Sequence, residues 1–403
     1  MPRLFIALPL LNENELLPRL IDCISAQTFR DFIVFACVNQ PDEWWDDHGK
    51  ISICLENQKT IEFLESIKDF RIVIIDKSGR GKGWKGKHHG VGWARKTVMD
   101  AISSDAGEND IIVSLDADTE FSENYFQSLA DTFSRFPHAV GIAVPYFHMP
   151  VPDKRANRAI LRYEIYMRHY SLNLWRIRSP YAFTALGSAI VFPVWAYRAV
   201  GGMTPKMSGE DFYFLQKLSK KGRLLIWNEE KVFPEARFSS RVYFGTGPAM
   251  IKGDLGDWSS YPIYHHKFFD EIGETCDLFS SFFEKTTSTK VTEFLKIIFR
   301  EEDPFEPLRR NHKSTVSFTR ACHEKFDGLR ILQYLKSRNK EEPVKDEVSL
   351  LQFLRQYYRD EILVRETADN DISFEQMSLE KMEMIRKFLV MKEEEYQLSS
   401  ILL

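Results

Sequence analysis

Short apolar runs alternate with amphipathic segments along the first third of the chain. Leu4–Pro9 is apolar throughout, the pattern of a strand, and Leu16, Leu17, Leu20, Ile21 and Ile24 then recur at helical spacing. Phe32–Val38 repeats the strand pattern. Thr60–Asp69 and Trp93–Ser103 read as helices, with Arg71–Asp76 as a third strand. Ile111–Leu115 is a fourth strand, uncharged and flanked by polar residues, which predicts a central position buried on both faces. Strands alternating with helices imply right-handed crossovers and an α/β fold with a mostly parallel sheet. Ligands on such sheets lie beyond the carboxyl ends of the strands. The polar clusters of this chain fall there: Asn12-Glu13, Asn39-Gln40, Lys77–Lys87 and Asp116-Ala117-Asp118.

Further along, Ala156–Arg178 reads as one long helix rich in Arg, Tyr and Trp, and Gly187–Phe192 as a strand. Glu210–Lys221 reads as a helix closed by Gly222 in the C-cap position. Beyond about residue 275 the strand-like runs stop and charged amphipathic helices take over, including Val348–Val364 and one opened by a Ser373-Phe-Glu-Gln376 capping box. The expected division is a catalytic α/β domain over 1–275 and a helical region over 276–403 that serves acceptor docking or self-association as a homo-oligomer.

Composition narrows the function classes. A net charge of −4 with the signs interspersed provides no field for nucleic acid. The five cysteines are scattered with no Cys-x-x-Cys pair, which argues against a disulfide framework or zinc site and fits a reducing cytoplasm. The apolar run Leu4–Leu11 ends at Asn12-Glu13-Asn14-Glu15 with no small-residue cleavage site after it, and the uncharged stretch Tyr181–Tyr197 is short for a bilayer span. The expectation is a cytoplasmic protein without a transmembrane segment, its contact with a membrane confined to the periphery of the inner face.

Asp116 and Asp118 carry the first candidate chemistry. Side chains at i and i+2 of an extended segment project the same way, so the two carboxylates form an oxygen-only, doubly negative site suited to Mg²⁺ or Mn²⁺. Such an ion can bridge diphosphate oxygens and neutralise a departing nucleoside diphosphate. A chance doublet is the alternative; Asp369-Asn370-Asp371 is one, in a polar turn with no strand before it. Ser208-Gly209-Glu210-Asp211 opens a helix, either as a capping arrangement or with Asp211 as the general base for an acceptor hydroxyl, and the two roles are compatible. The loop from Gly79 to Lys96 carries Arg80, Lys82, Lys85, Lys87, His88, His89, Arg95 and Lys96 among glycines and can cradle phosphates. Gly81 followed by Gly86-Lys87 has the spacing of a P-loop, but His88 stands where that motif needs Ser or Thr. His265 and His266 are candidate nitrogen ligands to the same ion, or solvated loop residues. The 156–178 helix either touches an anionic or lipid-linked acceptor or is a packed helix with a basic outer face.

Taken in order, these segments resemble the family 2 glycosyltransferases. Leu8-Pro9-Leu10-Leu11-Asn12-Glu13 with Gln27-Thr28-Phe29 is similar to the family's opening strand and helix, and Gly92-Trp93-Ala94-Arg95 to its Gly-x-Ala-Arg helix start. Asp116-Ala117-Asp118 resembles its Asp-x-Asp, Gly187-Ser188 with Val200-Gly201-Gly202-Met203 its acceptor-side segment, and Glu210-Asp211 its base motif. The likeness spans roughly residues 3–230. It implies a GT-A fold and an inverting single displacement from a nucleotide-diphosphate sugar to a saccharide or lipid-linked acceptor. Pro9, Leu11, Asn12, Glu13 and Asn39 would then line the donor's base, with Asp116 on the nucleoside and Lys87 and Arg95 near the diphosphate. Asp118, Asp116 and His266 would hold the metal and Asp211 would take the proton. The family has Asp at the end of strand two where this chain has Asn39, which weakens an assignment to uracil. A catalytically silent nucleotide-sugar binder and a P-loop NTPase are the competing classes.

Overall fold

The computed structural model describes residues 2–207, 209–239, 245–359 and 373–402. Ser208, the Asp369–Asp371 triplet and the last residues of the expected 348–364 helix lie outside them. By backbone contacts the chain forms two units. The first comprises 1–160, 184–256 and 397–403, and the second 161–183 and 257–396.

In the first unit, β1 (Leu4–Leu10), β2 (Phe32–Asn39) and β4 (Ile111–Ser114) are buried along their whole length, as uninterrupted apolar runs require. With β3 (Ile72–Lys77), β6 (Gly141–Ala143), β7 (Ile190–Pro193) and β8 (Leu224–Leu225) they form a seven-stranded sheet in the order β3-β2-β1-β4-β7-β6-β8. The first four are mutually parallel, β7 runs antiparallel to β4 and β6, and β8 is parallel to β6. The central position expected for residues 111–115 is observed. Helix α1 (Leu17–Ser25) buries Leu17, Leu20, Ile21 and Ile24, the residues that carried its periodicity. The remaining helices are α2 (Ile51–Ser66), α3 (Val91–Asp105), α4 (Tyr125–Arg135), α6 (Val194–Ala199), α7 (Glu210–Lys221) and α8 (Thr246–Asp254). A second, two-stranded sheet pairs β5 (Thr119–Phe121) antiparallel with β9 (Val232–Pro234). This is the expected α/β class, a mostly parallel sheet flanked by helices, with a helical C-terminal region. Gly222 does cap α7, though its φ of −176° is open to any residue. A side chain is excluded there because its Cβ would lie 2.6 Å from Val140.

The second unit is helical, and its longer segment begins at Asp257. Helix α5 (Lys154–Arg176) supplies Leu161, Ile165 and Leu172 to its core, where they pack with Ile263, Leu350, Phe353, Leu354, Ile385 and Leu389. Arg155 is exposed near the start of that helix, but three later arginines do not form an outer face. Arg162 pairs with Asp346, Arg168 with Glu164 and Glu393, and Arg176 with Asp270, and the first two guanidinium groups are almost fully buried. The Ser373 capping box opens a turn rather than a helix. The last helix starts at Leu379, where the hydroxyl of Ser378 accepts from the Lys381 N–H at 3.2 Å.

Candidate functional site

The carboxyl ends of β1 and β2 are tied together by amides. Asn39 donates through Nδ2 to the Leu10 carbonyl at 2.8 Å, and the Asn12 N–H donates to Asn57 Oδ1 at 2.8 Å. Asn12 sits at φ 54°, a left-handed conformation that asparagine tolerates better than most residues. Pro9 is buried within β1, Leu11 is partly exposed after it, and Glu13 is buried. Trp84 enters this corner unannounced by the sequence reading. Its indole N–H donates to Asn39 Oδ1 at 3.1 Å, and its backbone pairs with residues 40–42 as an extension of β2. Gly83 permits that approach, because a Cβ there would fall 2.7 Å from the Asp42 nitrogen. A tryptophan inside a run of lysines and glycines was the available signal.

The rest of the 79–90 loop does not form a P-loop. Lys87 is exposed, and the following helix starts only at Val91, after Gly90 at φ 110°. In a P-loop the lysine lies in the turn that enters the helix. His88 stacks edge-on against Trp93.

Arg95 organises the centre of the site. It is 2% exposed and projects from α3 onto four acceptors. It donates through Nε to Glu210 Oε1 at 3.1 Å and through Nη2 to Asp116 Oδ1 at 2.9 Å. Its Nη1 donates to Ser114 Oγ at 2.6 Å and the Gly187 carbonyl at 2.9 Å. One guanidinium therefore fixes the end of β4, the segment before β7 and the start of α7. Gly187 is needed for it, since a Cβ would stand 2.4 Å from Arg95 Nη2. Four of its five N–H groups are engaged by these protein acceptors. Removing one partner from a buried ionic cluster costs about 3–5 kcal/mol.

Asp211 is the second residue of α7 and accepts from the Phe212 N–H at 2.7 Å. Burial, then the neighbouring charge of Glu210, raises its carboxyl to about 7, with Arg95 pulling the other way. A carboxyl so shifted exchanges its proton near neutrality.

Asp118 lies between β4 and β5, immediately before Thr119. The pairing of Thr119 with Pro234, and a Glu235 N–H donated to the Asp118 carbonyl at 2.9 Å, bring Arg237 alongside. Arg237 donates to Asp118 Oδ2 through Nη2 at 2.7 Å and Nε at 3.1 Å, and to both oxygens of Glu13 at 3.0 and 3.1 Å. Burial raises the Asp118 carboxyl while Arg237 lowers it and Asp116 raises it further. Nothing in the sequence pattern marked Arg237, a lone arginine beyond the stretch where the resemblance was read.

His265 and His266 belong to the second unit. His265 caps α9 (His266–Asp277), its Nδ1 accepting from the Lys267 N–H at 3.1 Å, and the two rings stack on each other. Burial, then His265, lowers His266 to about 4, so its imidazole is neutral at physiological pH. Among the described residues, no three or more His, Cys, Asp or Glu side chains converge as a metal cage. A divalent ion held by one or two carboxylates with substrate phosphates and water needs no such cage. Asp116 and Asp118 fit an ion that arrives with a diphosphate.

Residues 111–246 match the family described as Glycosyl transferase family group 2. No curated protein matches the chain. Similar solved structures include Staphylococcus aureus TarS 1–349 in complex with UDP-GlcNAc, with 11% identity, a TM-score of 0.43, and coverage of 96% of this chain and 90% of that one. The mannosyltransferase PcManGT from Pyrobaculum calidifontis, in complex with GDP-Man and Mn²⁺, has 12% identity, a TM-score of 0.36, and coverage of 98% and 87%. GalNAc-T7 with UDP, GalNAc and Mn²⁺ has 12% identity, a TM-score of 0.37, and coverage of 79% and 56%. Among the described residues no helix is long and apolar enough to cross a membrane.

Proposed function

We propose that the chain, whose residues 111–246 match Glycosyl transferase family group 2, is a family 2 glycosyltransferase that transfers the sugar of a nucleotide-diphosphate donor to an acceptor hydroxyl in one inverting displacement, assisted by Mn²⁺ or Mg²⁺. The observation that carries the mechanism is the Asp211 carboxyl, raised to about 7 and held at a helix start beside the Arg95–Asp116–Glu210 cluster.

Asp211 takes the proton as the acceptor oxygen attacks, because the hydroxyl becomes acidic only while its new bond forms. The electron pair freed by cleavage of the anomeric bond leaves on the nucleoside diphosphate. Asp118 and Asp116 would hold the divalent ion, which when bound stabilises the charge on that leaving group. Arg95 keeps Asp116 and the start of α7 in register, so the donor carboxylate and the base stay fixed relative to each other. Asn39 and Trp84 line the donor corner with Pro9, Leu11, Asn12 and Glu13. Lys87, exposed on its loop, supplies positive charge toward the diphosphate. The saccharide or lipid-linked acceptor, a peripheral membrane contact and self-association are expectations for the helical unit.

Stereochemistry tests this reading. With an α-linked donor hydrolysed in water, proton NMR at early times should show the β-anomer of the free sugar first, before mutarotation. The α-anomer appearing first would exclude a single displacement with Asp211 as base.

A further inference from the structure

We propose that Gly92 is a positioning residue for the reaction: it seats the backbone of Lys206 on α3 and so fixes where Asp211 stands relative to Asp116. The inference rests on the reading of Asp211 as the base and adds the contact that places it.

Gly92 is buried in the first turn of α3. A Cβ on it would lie 2.2 Å from the Lys206 carbonyl oxygen and 2.7 Å from the Lys206 nitrogen. The main chain of Lys206 therefore occupies the space that any other residue at 92 would fill. Arg95 follows three positions later on the same face of α3. It donates to Glu210 at 3.1 Å and to Asp116 at 2.9 Å. One helix face thus holds the chain on both sides of Gly209, at Lys206 before it and at Glu210 after it. Gly209 itself is at φ 75°, with nothing within 4 Å of the place its Cβ would take. The turn into α7 is therefore set by these two seats and not by side-chain packing at the turn.

Lys206 reaches α7 as well. Its ammonium lies 3.6 Å from the centre of the Tyr213 ring, and upstream the Gly202 carbonyl accepts from Lys217 Nζ at 3.0 Å. The segment from Gly202 to Met207 touches both helices and acts as the spacer between the start of α3 and the start of α7. A methyl group on Gly92 would drive the Lys206 carbonyl out to an ordinary C···O separation of about 3.3 Å, a retreat of about 1 Å. Asp211 is five residues further on, just past Gly209, so the displacement passes to the base. Misplacing a reacting group by about 1 Å can cost about a hundredfold in rate. The corner formed by Asn12, Asn39 and Trp84 is held by its own hydrogen bonds, so donor affinity should be spared.

Turnover and affinity measured together on the full chain test this. The probe is whichever UDP- or GDP-sugar the wild type hydrolyses with Mn²⁺, with calorimetric Kd values for UDP and GDP, at a temperature where thermal melting shows each variant folded. Gly92→Ala should lower kcat by roughly 10- to 100-fold. Its nucleotide Kd should stay within about twofold of wild type. Lys206→Met leaves the backbone on Gly92 but gives up the contact with Tyr213. Its kcat should fall by about two- to fivefold at unchanged Kd, the size of one partly exposed cation–π contact. A folded Gly92→Ala with wild-type kcat overturns the proposal whatever its loss of thermal stability, because the glycine would then serve packing alone. Should Gly92→Ala fail to fold, Lys206→Met decides, and an unchanged kcat there overturns the proposal. Asp211→Asn separates this inference from the reading beneath it. Donor hydrolysis by Asp211→Asn at the wild-type rate removes the base assignment and this proposal with it. An inactive Asp211→Asn beside an unaffected Gly92→Ala removes the positioning role alone.

Discussion

Replacing Asp211 with asparagine should make the protein more stable at alkaline pH while removing its catalysis. The carboxyl is raised from 3.8 to about 7, chiefly by burial and then by Glu210. Between those values the folded state binds more protons than the unfolded state. Folding stability therefore falls as pH rises through the window from about 4 to 7 and stays lower above it. A shift of about three pH units corresponds to at most about 4 kcal/mol. Asp211 is only partly buried by surface area, which screens its charge, and a helix N-terminus favours an anion by about 0.5 kcal/mol. About 2 kcal/mol is the working expectation after those offsets. Asparagine keeps the oxygen that accepts from Phe212 and carries no charge. Thermal melts of wild type and Asp211→Asn should coincide near pH 3, below both values. At pH 8.5 the variant should melt higher by a few degrees, on the order of 2 °C per kcal/mol for a chain of this size. Its kcat for donor hydrolysis should fall by ~10²–10⁴, as expected for loss of a general base, with little change in donor affinity. A variant that melts at or below wild type at pH 8.5, or a melting difference that ignores pH, would refute the claim that Asp211 is held in a desolvated, electrostatically strained position.

Other outcomes follow from the same geometry. Wild-type kcat should rise about tenfold between pH 6 and 8 with a midpoint near 7, because only ionised Asp211 can accept the proton; a flat profile there would move the base elsewhere. Gly187→Ala places a Cβ 2.4 Å from Arg95 Nη2 and should cost about 3 kcal/mol of stability, read by denaturant unfolding. A variant as stable as wild type would show that the Arg95 cluster yields. Ending the chain near 275 should give an insoluble product, since Leu161, Ile165 and Leu172 lose Leu350, Phe353, Ile385 and Leu389. A soluble truncation with a cooperative melt would contradict that packing.

Local chemistry made much of this legible in the sequence. The apolar runs of β1, β2 and β4 are buried on both faces and cannot alternate, so their pattern named them and placed Asp116 and Asp118 at a strand end. Glu210 and Asp211 were visible because a helix start leaves a residue signature. What escaped notice was set by distant pairing. Arg237 reaches Asp118 only through the β5–β9 register, and Trp84 reaches Asn39 only because its loop folds back along β2. That residues 161–183 group with the helical unit was not legible, because the composition of that stretch matches its surroundings. Arg162, Arg168 and Arg176 of α5 looked like part of a basic face because their partners, Asp346, Glu393 and Asp270, lie about 90 to 230 positions away in sequence.

Donor turnover in water tests the central claim most directly. The full chain would be incubated with Mn²⁺ and, one at a time, UDP- and GDP-sugars, ATP and GTP, and the release of nucleoside diphosphate and inorganic phosphate followed. At least one nucleotide sugar should be hydrolysed slowly to nucleoside diphosphate and free sugar, with the activity abolished by EDTA, by Asp118→Ala and by Asp211→Asn. Release of phosphate from ATP that depends on Lys87, with every nucleotide sugar left intact, would contradict it.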